Sequence, residues 1–172
     1  MRKSNLFALA VTFVWLLGVP TVWAQKYDDK EHAELAKALN AAKVPLEKGL
    51  SASESQGKPI SGKYEVEDGK LQLSVYTMKG DKFSEVIVDH KTGKTVKTEA
   101  ITGGDDLVAA KAQSGAMAKA KVSLRSATEK VVKANSGYRA VSVTPSLKDG
   151  HPVAEITLVK GAEFKTASEK LD

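Results

Sequence analysis

From Lys63 to Lys94, apolar and polar residues alternate in short runs broken by turn formers. Tyr64 and Val66 share one face, Leu71, Leu73 and Val75 alternate with Gln72 and Ser74, and Phe83 opens a run that ends in Val86-Ile87-Val88. This period of two predicts half-buried strands. The breaks fall at Asp68-Gly69, Lys79-Gly80-Asp81 and Asp89-His90-Lys91-Thr92-Gly93. Such residues favour tight or left-handed turns, so the stretch predicts an antiparallel meander whose fourth strand starts at Thr95-Val96. The aliphatic set is expected against a core and the polar set in water, giving a sheet with one helix-covered face and one wetter face.

Upstream the period changes. Leu35, Ala36, Leu39 and Ala42 predict one apolar face of a helix capped by Asp28 or Asp29. A second helix is expected from about Pro45 to Ser55, with Leu46 and Leu50 inward and Gly57 as its stop. Proline suits a first helical turn because its missing N–H would be unpaired there anyway. Gly49 falls on the inward side, which predicts a close approach of helix to sheet.

The pattern then returns. Lys43-Val44-Pro45-Leu46 matches Lys121-Val122-Ser123-Leu124 at an offset of 78, while Asp68-Gly69 matches Asp149-Gly150, and Met78 to Phe83 matches Val159 to Phe164, at an offset of 81. Their order and nearly constant spacing predict a duplicated unit. The expected fold is therefore α+β, with two tandem copies, each a helix plus an antiparallel meander, over 25–104 and 105–172. In the second copy, Asp105-Asp106 should cap a helix from Leu107 to about Gln113, and Ser123 should cap one whose inward stripe is Leu124, Ala127, Val131 and Ala134. Ala154, Ile156 and Leu158 keep the inward phase of the first copy. The last segment, Phe164 to Asp172, carries Lys165, Glu169 and Lys170 and has no closing turn, as suits an edge strand. A lone core below about 80 residues is marginal, so the copies should unfold together, and cutting at Gly103-Gly104 should destabilise both.

The first 24 residues stand apart. Arg2 and Lys3 precede an apolar core from Leu6 to Val19, then Pro20 and the small-residue exit Val22-Trp23-Ala24. This predicts a secretory signal peptide cut between Ala24 and Gln25. Its apolar run falls short of the roughly 20 residues that span a bilayer. No other long apolar run occurs, so the mature chain is expected to be a soluble periplasmic or secreted bacterial protein without a membrane span.

Composition narrows the chemistry. The net charge of +5 loses two positive charges with the leader, and the remaining lysines are interspersed with acids without an aromatic stripe. Nucleic acid is therefore not an expected partner. The chain has no cysteine, which excludes thiol catalysis, disulfides and cysteine metal sites.

Catalytic motifs are partial. Ser55-Gln56-Gly57-Lys58 and Lys91-Thr92-Gly93 match the Ser-x-x-Lys and Lys-Thr-Gly of serine β-lactamases, but no Ser-Asp-Asn lies between them, Ser55 ends a helix and Lys-Thr-Gly falls in a turn. Gly93-Lys94-Thr95 ends like a phosphate-binding loop but has Val88 where the earlier glycine belongs. His32, His90 and His151 form no ligand pair, and the carboxylates at Asp28-Asp29 and Asp105-Asp106 are explained by capping rather than by a cation. Asp89, in a turn closed by Gly93, is expected to accept backbone N–H bonds. No catalytic residue, cofactor or metal site is predicted. The structural turn residues are Asp68, Gly69, Asp89, Gly93, Asp149 and Gly150.

Val44-Pro45-Leu46-Glu47-Lys48-Gly49, its counterpart Val122-Ser123-Leu124-Arg125-Ser126-Ala127, and the ending Val88-Asp89-His90-Lys91-Thr92-Gly93-Lys94 together resemble the PepSY domain. Its repeats begin with a Val-x-Leu-x-x-Ala helix and end in a strand running into Asp-x-x-Thr-Gly-Lys. Gly49 departs from the usual alanine, and the second copy lacks the terminal turn. The resemblance implies an extracytoplasmic α+β module, found alone and in propeptides of some metallopeptidases, that inhibits or regulates peptidases and brings no catalytic residues. The expected function is thus a non-enzymatic binding module whose partner is a peptidase or another envelope protein. The alternative is a structural or sensory envelope protein that responds to a small ligand or ion. If the tempting polar residues of the first meander have a role, it is expected at an exposed face or tip, as a contact surface.

Overall fold

The computed structural model describes residues 29–172. The signal-peptide cleavage site at Ala24 and Gln25, and Asp28 as a cap, lie outside them. The elements run α1 (Asp29–Ala38), a 3-10 turn (Leu39–Ala41), α2 (Leu46–Ser53), β1 (Lys58–Glu67), β2 (Lys70–Lys79), β3 (Lys82–Val88), β4 (Thr95–Ile101), α3 (Gly104–Lys119), α4 (Leu124–Ala134), β5 (Arg139–Lys148), β6 (His151–Lys160) and β7 (Glu163–Lys170). The fold is α+β. All seven strands form one antiparallel sheet in the order β4-β3-β2-β1-β5-β6-β7.

The order follows from the turns. Asp68 and Gly69 both have positive φ, as do Asp149 and Gly150, which is the type I′ geometry that matches the right-handed twist of two-residue hairpins. Each strand then folds back on its predecessor. Only the β1·β5 pair, centred on Gly62↔Val143 and Lys63↔Ser142, joins strands remote in sequence. It merges the two meanders into one sheet.

Details recur across that seam. A bulge interrupts β1 at Ile60 and β5 at Val141, again 81 residues apart. The N–H groups of Lys43 and Val44 both donate to the His90 carbonyl, and those of Lys121 and Val122 both donate to the Leu171 carbonyl.

α2 and α4 lie side by side on one face. Leu46, Leu50, Leu124 and Ala127 meet Tyr64, Leu73, Val75, Val143, Ile156 and Leu158 there in a continuous buried core. Gly49 is the point of closest approach: a Cβ built on it would lie 2.6 Å from Leu73 Cδ2. Behind this layer the Arg139 guanidinium donates to the Leu39 and Val44 carbonyls. The Tyr64 hydroxyl also donates to Val44 O. The link between α1 and α2 is thereby fixed to the centre of the sheet.

Several expectations need correction. β1 begins at Lys58, ahead of the expected Lys63, because the bulge accommodates Pro59-Ile60-Ser61 within a strand. α2 is shorter than expected, with Pro45 as its N-cap residue and its end at Ser53. Ala134 is exposed, and Thr128 takes the buried place on α4. Helix α3 is more than twice the expected length, with Gly103 at its N-cap and Asp105 and Asp106 inside its first turn rather than capping it. There the two carboxylates complement the helix dipole. The largest correction concerns the face of the sheet expected in water. Ser61 precedes Gly62, whose missing Cβ faces Leu50 and Leu46 of α2, so Ser61 points to the opposite face, and its hydroxyl meets Gln113 of α3. α3 therefore crosses the second face, over β1, β5 and β6, and Ser74 on that face is buried.

Candidate binding groove

Four side chains lining the second face are small and hydroxylated, Ser61 on β1, Ser142 and Thr144 on β5, and Thr157 on β6, beside the larger Lys63, Tyr76 and Glu155. Opposite them α3 presents Ala109, Ala110 and Ala112. Small residues on both surfaces leave a groove of about 680 Å³ between helix and sheet. Phe164 on β7 and His32 on α1 close one wall, their rings stacked with centroids 4.1 Å apart.

α3 is attached unevenly. Its C-terminal half is pinned: Ser61 Oγ donates to Gln113 Oε1 at 2.7 Å, Lys58 Nζ to Met117 O at 3.0 Å, and Lys119 Nζ to Gly150 O at 3.3 Å. Ser114 Oγ lies 2.7 Å from Met78 Sδ. Its N-terminal half, Asp105 to Ala112, forms the groove's roof. Ser61 gives its proton to an amide oxygen, which is no general base.

Lys63 and Tyr76 line the groove and lead into a connected polar patch beside it. Lys63 Nζ pairs with Glu65 at 2.5 Å and lies 5.8 Å from the Tyr76 ring centre. Gln72 donates to Ser74, which donates to Glu65 Oε1 at 2.9 Å. Burial pushes the Tyr76 hydroxyl far above its ordinary range, helped by the carboxylates of Glu85, Glu65, Asp106 and Glu67. Burial also raises Glu85, opposed by the nearby Ser74 hydroxyl. Tyr76 is thus a neutral hydrogen-bonding phenol at physiological pH.

Of the residues singled out in the sequence, His32, Asp105 and Asp106 line the groove, while the turn residues lie elsewhere. Asp68-Gly69 and Asp149-Gly150 sit at opposite ends of the sheet, since β1 and β5 run antiparallel. Asp89 Oδ1 accepts from the N–H groups of Lys91 at 3.0 Å and Thr92 at 2.6 Å, and from Thr92 Oγ1 at 2.9 Å. These bonds hold its carboxyl below the usual range. Gly93 takes the left-handed conformation, φ 76°, and is buried against Val44 and Lys48. This turn presents the His90 carbonyl to the start of α2. Through that carbonyl it acts as a latch, while Lys91, Thr92 and Lys94 remain exposed.

Neither catalytic motif is assembled. Ser55 is exposed beyond α2, Lys58 is bound to a carbonyl of α3, and Lys91-Thr92-Gly93 belongs to the latch. Among the described residues no group of histidines and carboxylates could hold a metal ion, and no helix is long and apolar enough to cross a membrane. His151 pairs with Asp172 at 2.7 Å. The groove escaped the sequence because its residues come from seven elements and include no acid–base motif. The one available signal was the run of alanines in α3, which marks a close helix–sheet approach without saying where. No family model, curated protein or solved structure matches the chain.

Proposed function

We propose that the chain is an exported, non-enzymatic binding module of two tandem PepSY-like copies, which takes a segment of a partner protein into the groove under α3. The observation that carries this reading is the groove itself: it has a hydroxylated floor, aromatic and aliphatic walls, and a roof tethered at one end. Pockets with an apolar lining and a few placed polar groups are the usual form of a binding site. The tandem organisation is supported by the bulges, hairpins and carbonyl latches that recur at a near-constant offset. A peptidase or another envelope protein is the partner, held or inhibited without turnover.

The test is capture from periplasmic extract by immobilised protein, beside Ala109→Trp, which fills the groove. A stoichiometric partner retained by the native chain and lost by the variant is the expected result. Repeated failure to retain any protein favours a structural or sensory role. Hydrolysis of a peptide or ester by the purified protein, lost in Ser55→Ala, would overturn the non-enzymatic reading. Export predicts an N-terminus at Gln25, and finding Met1 would refute it.

A further inference from the structure

β4 is the least covered strand of the sheet. Among the described residues it has no neighbouring strand on its outer side, and the five residues from Val96 to Ala100 are all exposed. The opposite edge is different. Along β7, Glu163 accepts from the Tyr138 hydroxyl at 2.6 Å, Glu169 pairs with Lys130 of α4, and Lys165 lies 3.9 Å from the Tyr138 ring centre. Among the described residues the only ion pair on β4 is internal, Lys97 Nζ to Glu99 at 2.7 Å, two positions apart on one face. An open edge of this kind is a template for another strand unless it is blocked.

The sequence of β4, Thr95-Val96-Lys97-Thr98-Glu99-Ala100-Ile101, is self-complementary about Thr98. When two such strands run antiparallel with the Thr98 residues opposed, each Lys97 faces Glu99 of the second copy. Val96 then faces Ala100, and Thr95 faces Ile101. Centring on Lys97 or Glu99 instead sets like charges opposite each other, and of the registers centred on the strand's three middle residues only that at Thr98 pairs opposite charges. Within the chain, Glu99 lies directly opposite Glu85 of β3, and like charges in that position repel. In the Thr98 register a second copy brings a lysine to the other side of Glu99.

We propose that β4 pairs antiparallel with β4 of a second copy about a two-fold axis at Thr98, joining two sheets into one. Such an interface is isologous and closes on itself. The irregularity at Val96, where the β3·β4 register shifts, restricts the regular ladder to the centre of the strand. Association is therefore reversible and rises with concentration.

Sedimentation velocity on the purified protein, from micromolar to millimolar, tests this. The native chain is expected to show a growing dimer population. Lys97→Glu and Glu99→Lys should each be monomeric with an unchanged circular dichroism spectrum, and mixing the two should restore the dimer because opposite charges again meet across the axis. A native chain that stays monomeric to millimolar concentration overturns the proposal and leaves the edge to a strand of another protein. A dimer indifferent to both substitutions, or a mixture that stays monomeric, overturns the β4 register.

Discussion

The two faces of the sheet follow opposite rules. On the face under α2 and α4, Leu50, Leu73, Val75, Ile156 and Leu158 are fully buried, and helix and sheet touch so closely that Gly49 has no room for a Cβ. On the face under α3, serines, threonines and a lysine–glutamate pair oppose alanines, and a groove of about 680 Å³ remains. The first face is filled by large side chains, whereas α3 closes the second with the smaller buried contacts of Ala110, Ala116 and Met117 and with hydrogen bonds along its C-terminal half.

Leu50→Ala should have the largest effect on this contrast. Removing a wholly buried leucine side chain typically destabilises by about 2 to 5 kcal/mol, whereas Thr144→Ala on the groove floor should stay within about 0.5 kcal/mol. Urea unfolding of the two variants measures the difference, and similar losses would abolish the distinction between the faces. Tyr64→Phe comes next. It removes one of two donors to the Val44 carbonyl, and because Arg139 still donates there, the expected loss is about 0.5 to 1.5 kcal/mol. A larger loss would mean that Arg139 does not hold the carbonyl alone. Burial pushes the Tyr64 hydroxyl up to about 12, so this contribution persists through neutral and mildly alkaline pH.

Two smaller effects depend on pH and have opposite signs. Burial raises the Glu47 carboxyl on α2, with a further push from Glu129. The folded value lies above the unfolded one, so its contribution is present below the unfolded pKa of about 4.3 and is lost as pH rises through the folded value. Glu47→Gln should therefore raise the melting temperature at neutral pH and leave it unchanged in acid. Asp89 behaves in reverse. Its hydrogen bonds to Thr92 and Lys91 lower it, so its contribution is present above an unfolded pKa of about 3.9 and is lost as pH falls through the folded value. Asp89→Asn should melt earlier than the native chain at neutral pH, with the gap closing in acid. A constant gap would show that the latch does not depend on the carboxylate charge.

Local chemistry was legible along the chain. Asp68-Gly69 and Asp149-Gly150 specify their hairpins because few residue pairs tolerate two successive positive φ angles. Ser123 caps α4, its Oγ accepting from Ser126 N at 3.1 Å, because a hydroxyl before an apolar helical stripe has an unpaired N–H to satisfy. Ala154, Ile156 and Leu158 are buried, as their alternation required. α3 is more than twice as long as its pattern predicts. Alanine, glycine and serine give a helix no strong apolar stripe, so neither its end nor the surface it covers is encoded in the periodicity. The position of Asp89 in its turn was readable from Asp-x-x-Thr-Gly, but the use of the adjacent His90 carbonyl to hold α2 was not, because a backbone acceptor leaves no mark in the sequence.

The sequence by itself determined the strands, their hairpins, the Ser123 cap and the aliphatic face that the sheet must bury, because each depends on residues close together in the chain. Only the tertiary structure decided that β1 and β5 join two meanders into one sheet, and that α3 returns over the polar face. That placement depends on contacts between residues far apart in sequence, such as Lys63 with Ser142 across the seam and Ser61 with Gln113 over it. The groove exists because the small side chains of two distant segments meet, and no single segment carries the information that they will.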